Sequence, residues 1–559
     1  DLVERMHEHG CKLIVQLFHC GGNANEKNHE NMSLFAPSSV KISQDTLLPI
    51  DMDETELLKT KQDFIFAANL CKKAGVDAIE VNASEGYLLS EFFSPITNLR
   101  EDLYGYKTQR GMTYPLEILN AIREEASNYP IILKISAGQM MEGGYDLESM
   151  ITFCNLASQY IDAVSVTGGW SHSQMEDILY YIPKGAYATL VGVMKKFVSL
   201  PIIACKNIYD GEVAEKILMQ NQGDLIGTAR GFLADAQFAN RIKNKELFLP
   251  CQGCNHCMNA LLDGKSLICG FNPEVGQEFF EKQRRSIATR KEVVVVGSGP
   301  AGMQAAKKSA ERGFVTTLIT EEMTLGGKFN LAAKPPKKEA IQKYIEYMEK
   351  TLNTLGVKII FGEKCKEAFL IEKKPYFTVI ATGSKPNKLE IEGGERAIFA
   401  DDILSVRVCL PEQTKQGQIV IVGGNGIGIE MAAYLKGLSE ERKITVIEEK
   451  GHFGQDLGPL AKPLVKFLRA KEVEFMANAT VQRIEDGNVV ISINKETLTL
   501  QVDAVILTTG YKACDYSYLT MPLMDERLSY AVVGDAGQIE NGIAAIQSAY
   551  ELFTRLYLA

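Results

Sequence analysis

The sequence predicts an α/β protein: an N-terminal (β/α) barrel of the TIM type, a short cysteine-bearing segment, and two Rossmann-like dinucleotide-binding folds. Three observations predict it. Over roughly the first 240 residues, β-branched runs of buried-strand length alternate with amphipathic helical stretches. Cys251, Cys254 and Cys257 stand within seven residues, and Cys269 follows. Beyond them, VVVVGSGPAG and IVIVGGNGIG each read as a strand, a glycine-rich turn and the start of a helix.

At 559 residues the chain is too long for one hydrophobic core. We divide it at 1–245 for the barrel, 246–285 for the cysteine segment, 286–410 with 510–559 for the first dinucleotide fold, and 411–509 for the second. A hydrophobic content of 46% with mixed charges is that of a globular protein, and a net charge of -10 argues against a nucleic-acid-binding surface. No apolar run is long enough to span a bilayer and no signal-peptide start is seen, so no membrane partner is predicted. The 12 cysteines, scattered apart from the cluster, read as reduced thiols and predict a cytoplasmic location.

The barrel strands are read as KLIVQL from Lys12, DAIEVN ending at Asn82, IILKIS ending at Ser136, AVSVTGG ending at Gly169, IIAC ending at Cys205 and LIGTAR ending at Arg230. A helix from about Thr55 to Ala74 joins the first two. These are six strands, whereas a closed barrel has eight, and the chain begins with Asp1; we therefore expect the first two units to be absent here or supplied from elsewhere. Polar residues stand at the carboxyl ends, where the site of such a barrel lies: Gln16 and His19, Asn82 with Glu85 and Tyr87, Lys134, Thr167 to His172, Lys206 with Asn207, and Arg230. Lys134 lies inside an apolar strand, and a buried cation needs an anionic partner or an electron-rich ligand.

The cysteines are spaced C-x2-C-x2-C-x11-C. Cysteine-only ligation in a tight loop suits a 4Fe-4S cluster. Zinc is the rival, although structural zinc usually draws on two separated pairs.

In the first glycine loop, Gly297 permits the tight turn, Gly299 lets the backbone approach a pyrophosphate, and Gly302 packs helix on strand. Gly326 and Gly327, the ATG strand at Ala381 to Gly383, and Gly534 with Asp535 support it. The acidic residue expected at the end of the second strand is replaced by Thr320, with Glu321 next. In the second loop, aligned through Gly423, Asn425 and Gly428, the middle glycine is Asn425, which crowds a pyrophosphate. Glu448 ends the following strand, where a carboxylate holds a ribose 2'-OH and repels a 2'-phosphate; this predicts NADH rather than NADPH. A degenerate fold that binds nothing is the rival reading.

VQLFHCGG, EVNASEGYLLSEFFSPITNLREDLYGY, LKIS, VTGGW and GTARGFLAD together resemble the old yellow enzyme family of FMN-dependent barrels. Essentially the whole chain is similar to its long members, of the 2,4-dienoyl-CoA reductase, trimethylamine dehydrogenase, and bile-acid and isoflavone reductase type. That resemblance implies FMN, a 4Fe-4S cluster held by Cys251, Cys254, Cys257 and Cys269, and FAD with Asp535 on its ribityl chain, although one branch holds only ADP there. It implies that Gln16 and Lys134 contact the FMN pyrimidine, and that Asn207, Ala229 and Arg230 form the phosphate end. The family commonly has Gly-Arg where this chain has Lys206 and Asn207, an Arg where it has Gly22, and histidines where it has Asn82 and Glu85. Tyr87 would protonate the substrate carbon with help from His172.

The parts imply a relay from NADH to FAD, to the cluster, to FMN and to an activated C=C bond of a small molecule. An amine dehydrogenase running the relay outward is one alternative, with Tyr87, Phe18 and Trp170 as candidates for an aromatic bowl. A non-catalytic remnant barrel is another. The sequence leaves a homo-oligomer open.

Overall fold

In a computed structural model, residues 1–23, 33–42, 46–170, 173, 182–283 and 290–555 are described. The chain divides into two compact units, Asp1–Gly231 and Phe232–Ala559.

The first unit is organised by a six-stranded parallel sheet in chain order: Ile14–Leu17, Ala78–Ala83, Ile131–Ser136, Ala163–Thr167, Ile202–Ala204 and Leu225–Ile226. All six anticipated strands are present. The last is shorter than expected, because LIGTAR leaves the sheet after Ile226 and Arg230 opens a short helix, Arg230–Ala234. The first anticipated helix is Glu54–Lys73, with the Asp53 carboxylate accepting from the Glu56 N–H at 2.8 Å. Strand periodicity divides the sheet into two unlike faces. Ile79, Val81, Leu133, Ile135, Val164 and Val166 are fully buried in the apolar core with the helices. Each such side chain contributes roughly 1.5–3 kcal/mol relative to exposure. The other face carries polar residues and forms the candidate site.

The second unit contains two five-stranded parallel sheets. One is ordered Lys358–Ile360, Val315–Ile319, Glu292–Val296, Phe377–Ile380 and Tyr530–Val532. The other is ordered Ile398–Phe399, Ala504–Leu507, Gln418–Val422, Lys443–Ile447 and Val473–Met476. The chain thus leaves the first sheet, builds the second and returns through Tyr530–Val532. Ala381 to Gly383, anticipated as strand, lies just past the end of Phe377–Ile380. The cysteine segment belongs with this unit: Leu249 and Phe271 join the core of Val293, Val295 and Met303. None of the twelve cysteines is in a disulfide, and no helix among the described residues is long and apolar enough to cross a membrane.

Candidate active site

On the polar face of the first sheet the strand register sets Gln16 beside Glu80, and Asn82 beside Lys134 and then Ser165. The Gln16 amide bridges two neighbours, donating to Glu80 and accepting from the Asn82 amide at 3.1 Å. Asn82 is held in turn by Ser84, whose N–H and hydroxyl donate to its Oδ1 at 2.9 and 2.7 Å. Lys134 is half-buried and has no hydrogen bond or ion pair among the described residues. An ammonium so placed suits an electron-rich ring that accumulates negative charge.

The turn after Ala78–Ala83 carries Glu85 at φ 59°, a left-handed conformation fixed by its N–H donating to Ser136 Oγ at 3.0 Å. The Glu85 carboxylate accepts from Thr167 Oγ1 at 3.2 Å and pairs with Lys206 at 3.8 Å. Where the resemblance implies a histidine, this chain therefore has an ion pair. Tyr87 precedes the helix Leu88–Phe93, is half-buried, and packs against Phe18 with ring centroids 5.2 Å apart. Trp170 is fully buried and donates to Tyr145 OH at 2.9 Å, so it is unavailable as a wall of an aromatic bowl. His172 lies outside the described residues. Below the turn, Glu91 is fully buried and accepts from the Gly22 N–H at 3.0 Å; burial holds its carboxyl well above the usual carboxylate range.

At the ends of the last two strands, Lys206 and Asn207 both have positive φ, 69° and 59°, a backbone that favours glycine. Asn207 is buried and spends its amide donors on the Ile182 and Pro183 carbonyls at 3.1 and 3.0 Å. It anchors the loop. Ala229 is exposed, and Arg230 reaches Asn207 Oδ1 with Nη2 at 3.5 Å. Arg230 Nη1 and Thr228 Oγ1 are buried without partners. Orphans of this kind cost about 1–3 kcal/mol each unless a ligand satisfies them, and a cationic and a hydroxyl donor together suit a phosphate. The residues present fit FMN at both ends, Lys134 at the ring and Arg230 with Thr228 at the phosphate.

In the cysteine segment, Gly253 and Asn255 take left-handed conformations that curl Cys251 to Cys257 into a tight turn. The Gly253 N–H donates to Cys251 Sγ at 3.4 Å, and the backbone of Phe271 and Asn272 faces Cys269. Burial pushes the Cys254 thiol up to about 12, with further contributions from Cys251, Cys269 and Cys257. Cys254 thus lies within electrostatic reach of the other three sulfurs. Among the described residues, none of the His, Cys, Asp or Glu side chains are grouped as ligands of a single metal ion.

The first glycine loop is open. A Cβ on Gly299 would meet no atom within 4 Å, and the helix Pro300–Glu311 has no side chain capping its N-terminus. A Cβ on Gly302 would lie 1.9 Å from the Gly297 carbonyl oxygen, so only glycine packs there. Thr320 is buried and shares a hydrogen bond with Ser298 at 2.9 Å, whereas Glu321 is exposed. The hydroxyl, not the carboxylate, therefore faces the loop. Gly327 approaches Gly299, Asp535 accepts from Ser384, and Thr382 Oγ1 is buried without a partner. Lys328 donates to Ser384 Oγ at 2.8 Å and lies 3.1 Å from the Tyr511 ring centroid; burial lowers its amine to about 8. An open turn, an uncapped helix and an orphan hydroxyl fit FAD.

The second loop is filled by its own chain. Glu448 Oε2 accepts from the Gly424 N–H at 2.7 Å, and its Oε1 accepts from the Lys450 N–H at 2.9 Å. Asp456 Oδ1 accepts from the Gly426 N–H at 2.7 Å. Asn425 Oδ1 accepts from the Gly428 N–H at 3.1 Å while its amide donates to the Thr508 carbonyl at 2.7 Å.

The family model for the NADH:flavin oxidoreductase / NADH oxidase family matches residues 1–247, and that for pyridine nucleotide-disulphide oxidoreductases matches 291–532. A metal reductase of Desulforamulus reducens is 31% identical over 98% of this chain and 87% of its own. The chain belongs to the NADH:flavin oxidoreductase / NADH oxidase family. A cinnamate reductase of Clostridium sporogenes is 28% identical over 99% of this chain and 85% of its own. A solved complex of 2-naphthoyl-CoA reductase with 2-naphthoyl-CoA is 26% identical, with a TM-score of 0.92 over 99% of this chain and 86% of that one. The α/β reading, with a barrel followed by a dinucleotide-binding region, and the reading as a flavin oxidoreductase both stand.

Four residues of this flavin oxidoreductase escaped the sequence reading. Thr228 stands two positions before Arg230 in GTAR and carried no signal of its own. Glu91 and Lys328 become distinctive only through burial. Asp456 has a faint signal, an acidic residue ahead of the amphipathic run AKPLVKFLRA.

Proposed function

We propose that this chain reduces an activated C=C bond of a small molecule, a 2-enoate, an enoyl thioester or a related enone, with electrons from NADH. The observation that carries the reading is a pair of cations, Lys134 on the sheet with no hydrogen bond or ion pair among the described residues and Arg230 beyond the last strand with Nη1 unpartnered, which suit the two ends of FMN. Relatives named as cinnamate and 2-naphthoyl-CoA reductases, similar over nearly the whole chain, support the substrate class.

Gln16 and Lys134 would hold the flavin pyrimidine, and Arg230 with Thr228 the phosphate. Asn207 acts as a positioning residue for Arg230. Tyr87, half-buried beside Phe18, is the proton donor of this reading, with His172 assisting. The Glu85–Lys206 pair borders the same turn and supplies a charged wall in place of a histidine clamp. Cys251, Cys254, Cys257 and Cys269 would hold a 4Fe-4S cluster. Structural zinc usually draws on two separated pairs of ligands, whereas three cysteines in one tight loop with a fourth beyond suit a cubane. Bound in their sites, FAD, the cluster and FMN would supply hydride acceptance from NADH, single-electron transfer and hydride return to the alkene. The carboxylate of Glu448 disfavours NADPH, and a cytoplasmic location suits the free thiols.

The test is anaerobic reduction by NADH, followed optically on protein assayed for FMN, FAD and iron. Full bleaching with both flavins and about four irons, followed by reoxidation on adding cinnamate, is the expected result. Bleaching by dithionite but not by NADH would sink the inward relay.

A further inference from the structure

The two glycine loops were anticipated as two nucleotide cradles, and they differ in how far the chain's own side chains occupy them. In the second, three alternate N–H groups of the turn and first helical residues, those of Gly424, Gly426 and Gly428, are each taken by a side chain of the same fold. These are the donors that a pyrophosphate uses at the start of a 13-residue helix, Gly426–Leu438. Asn425 is an ordinary N-cap, and Glu448 is tied at both oxygens to the strand-end backbone. Asp456 is different. It comes from a separate turn, Gln455–Leu460, and brings a full negative charge to the helix N-terminus.

That turn is seated on the loop. The Gly454 N–H donates to the Gly424 carbonyl at 2.8 Å, and Phe453 packs on Phe475 with centroids 5.0 Å apart. A Cβ on Gly424 would fall 2.5 Å from the Phe453 ring, and one on Gly426 would fall 2.7 Å from Asp456 Oδ2. Gly454 and Gly458 both have positive φ, 65° and 58°, and flank the Asp456 turn. Asp456 itself is exposed, so its carboxylate can swing to solvent without leaving a buried charge.

We infer that Asp456 is an affinity-determining residue for the nicotinamide dinucleotide, an internal competitor that must release the Gly426 N–H before the pyrophosphate can take it. A carboxylate and a pyrophosphate cannot share one N–H donor, and their like charges oppose each other at that range. The inference rests on the reading that NADH enters at this fold. Displacing a hydrogen bond to a charged group weakens dinucleotide binding by about tenfold or more.

The test is equilibrium binding of 1,4,5,6-tetrahydro-NADH, which cannot reduce the flavins, and of ADP-ribose to the full-length holoprotein and to D456N and D456A. The expected result is about tenfold or more tighter binding of both probes to D456A, with D456N between it and the parent. Thermal unfolding should be nearly unchanged because Asn425 still caps the helix. In turnover, the KM for NADH should fall in D456A. Equal or weaker binding to D456A overturns the inference, and so does absence of binding to all three proteins. Cinnamate reduction driven by reduced methyl viologen bypasses NADH. Its persistence would show that the alkene-reducing barrel stands even if the competitor does not.

Discussion

Gly299 and Asn425 hold the same place in two strand–turn–helix units, and their backbones agree: φ −67° and ψ −179° for one, φ −69° and ψ −179° for the other. What surrounds them does not agree. Gly299 has no neighbour where a Cβ would go, and its helix starts uncapped. Asn425 caps its own helix, and Glu448 and Asp456 take adjacent donors. A shared local motif thus gives one turn ready for a ligand and one that already holds its own anions. The motif sets the direction of the donors; residues elsewhere in the chain set whether the donors are free.

The largest effects should come from the glycines that hold helix against strand. A Cβ at Gly302 or Gly428 would lie 1.9 Å from the carbonyl oxygen of Gly297 or Gly423. Gly302→Val should purify without FAD while keeping FMN; Gly428→Val should keep both flavins and lose tetrahydro-NADH binding. Flavin extraction decides the first, and FAD retained at full ratio would mean that the open loop is not its cradle. Gly299→Ala tests openness itself. It has room in this structure and an ordinary φ, so unfolding should be unchanged, yet FAD should bind about tenfold more weakly because the methyl stands where the pyrophosphate approaches.

A smaller effect separates the two caps. Asn425→Ala removes a side-chain acceptor from the Gly428 N–H and should cost about 1 kcal/mol in urea unfolding, whereas Gly299→Ala has no cap to lose. Equal costs would erase the difference between the loops. The smallest concerns Lys328, next to Gly327 in the open loop. Its amine is lowered from 10.5 to about 8 by burial, so across that interval the unfolded chain binds more protons than the folded one. Stability of flavin-free protein should therefore rise from pH 8 toward pH 10.5, and Lys328→Met should flatten the rise; identical pH profiles for the two proteins would refute the assignment.

The fold was legible because its signals are local and periodic. The six strands of the first unit and both strand–turn–helix units appear where β-branched runs meet glycine turns. Chain ends of strands were less legible: LIGTAR leaves the sheet after Ile226, since pairing needs a neighbouring strand and not only an apolar run. Among the site residues, Gln16, Asn82 and Lys134 fall on one face because strand register puts them there. Asn207, read as part of the phosphate end, has an amide that holds backbone carbonyls and an oxygen that meets Arg230, contacts the sequence did not display. Past the end of the second strand Thr320 bonds Ser298 of the loop, while Glu321, one position on, is exposed, a difference that only the fold displays.

By itself the sequence determined the order of elements, the positions of the cysteines and the two glycine turns, because each depends on residues adjacent along the chain. It could not determine which donors and cations would be left unsatisfied. Arg230 Nη1 has no partner because Asn207, 23 residues away, engages only Nη2, and the Gly426 N–H is occupied because Asp456, 30 residues on, folds back onto it. Hydrogen bonding saturates at each donor, so whether a site is open depends on every group that reaches it in space, and only the tertiary structure decides which groups those are.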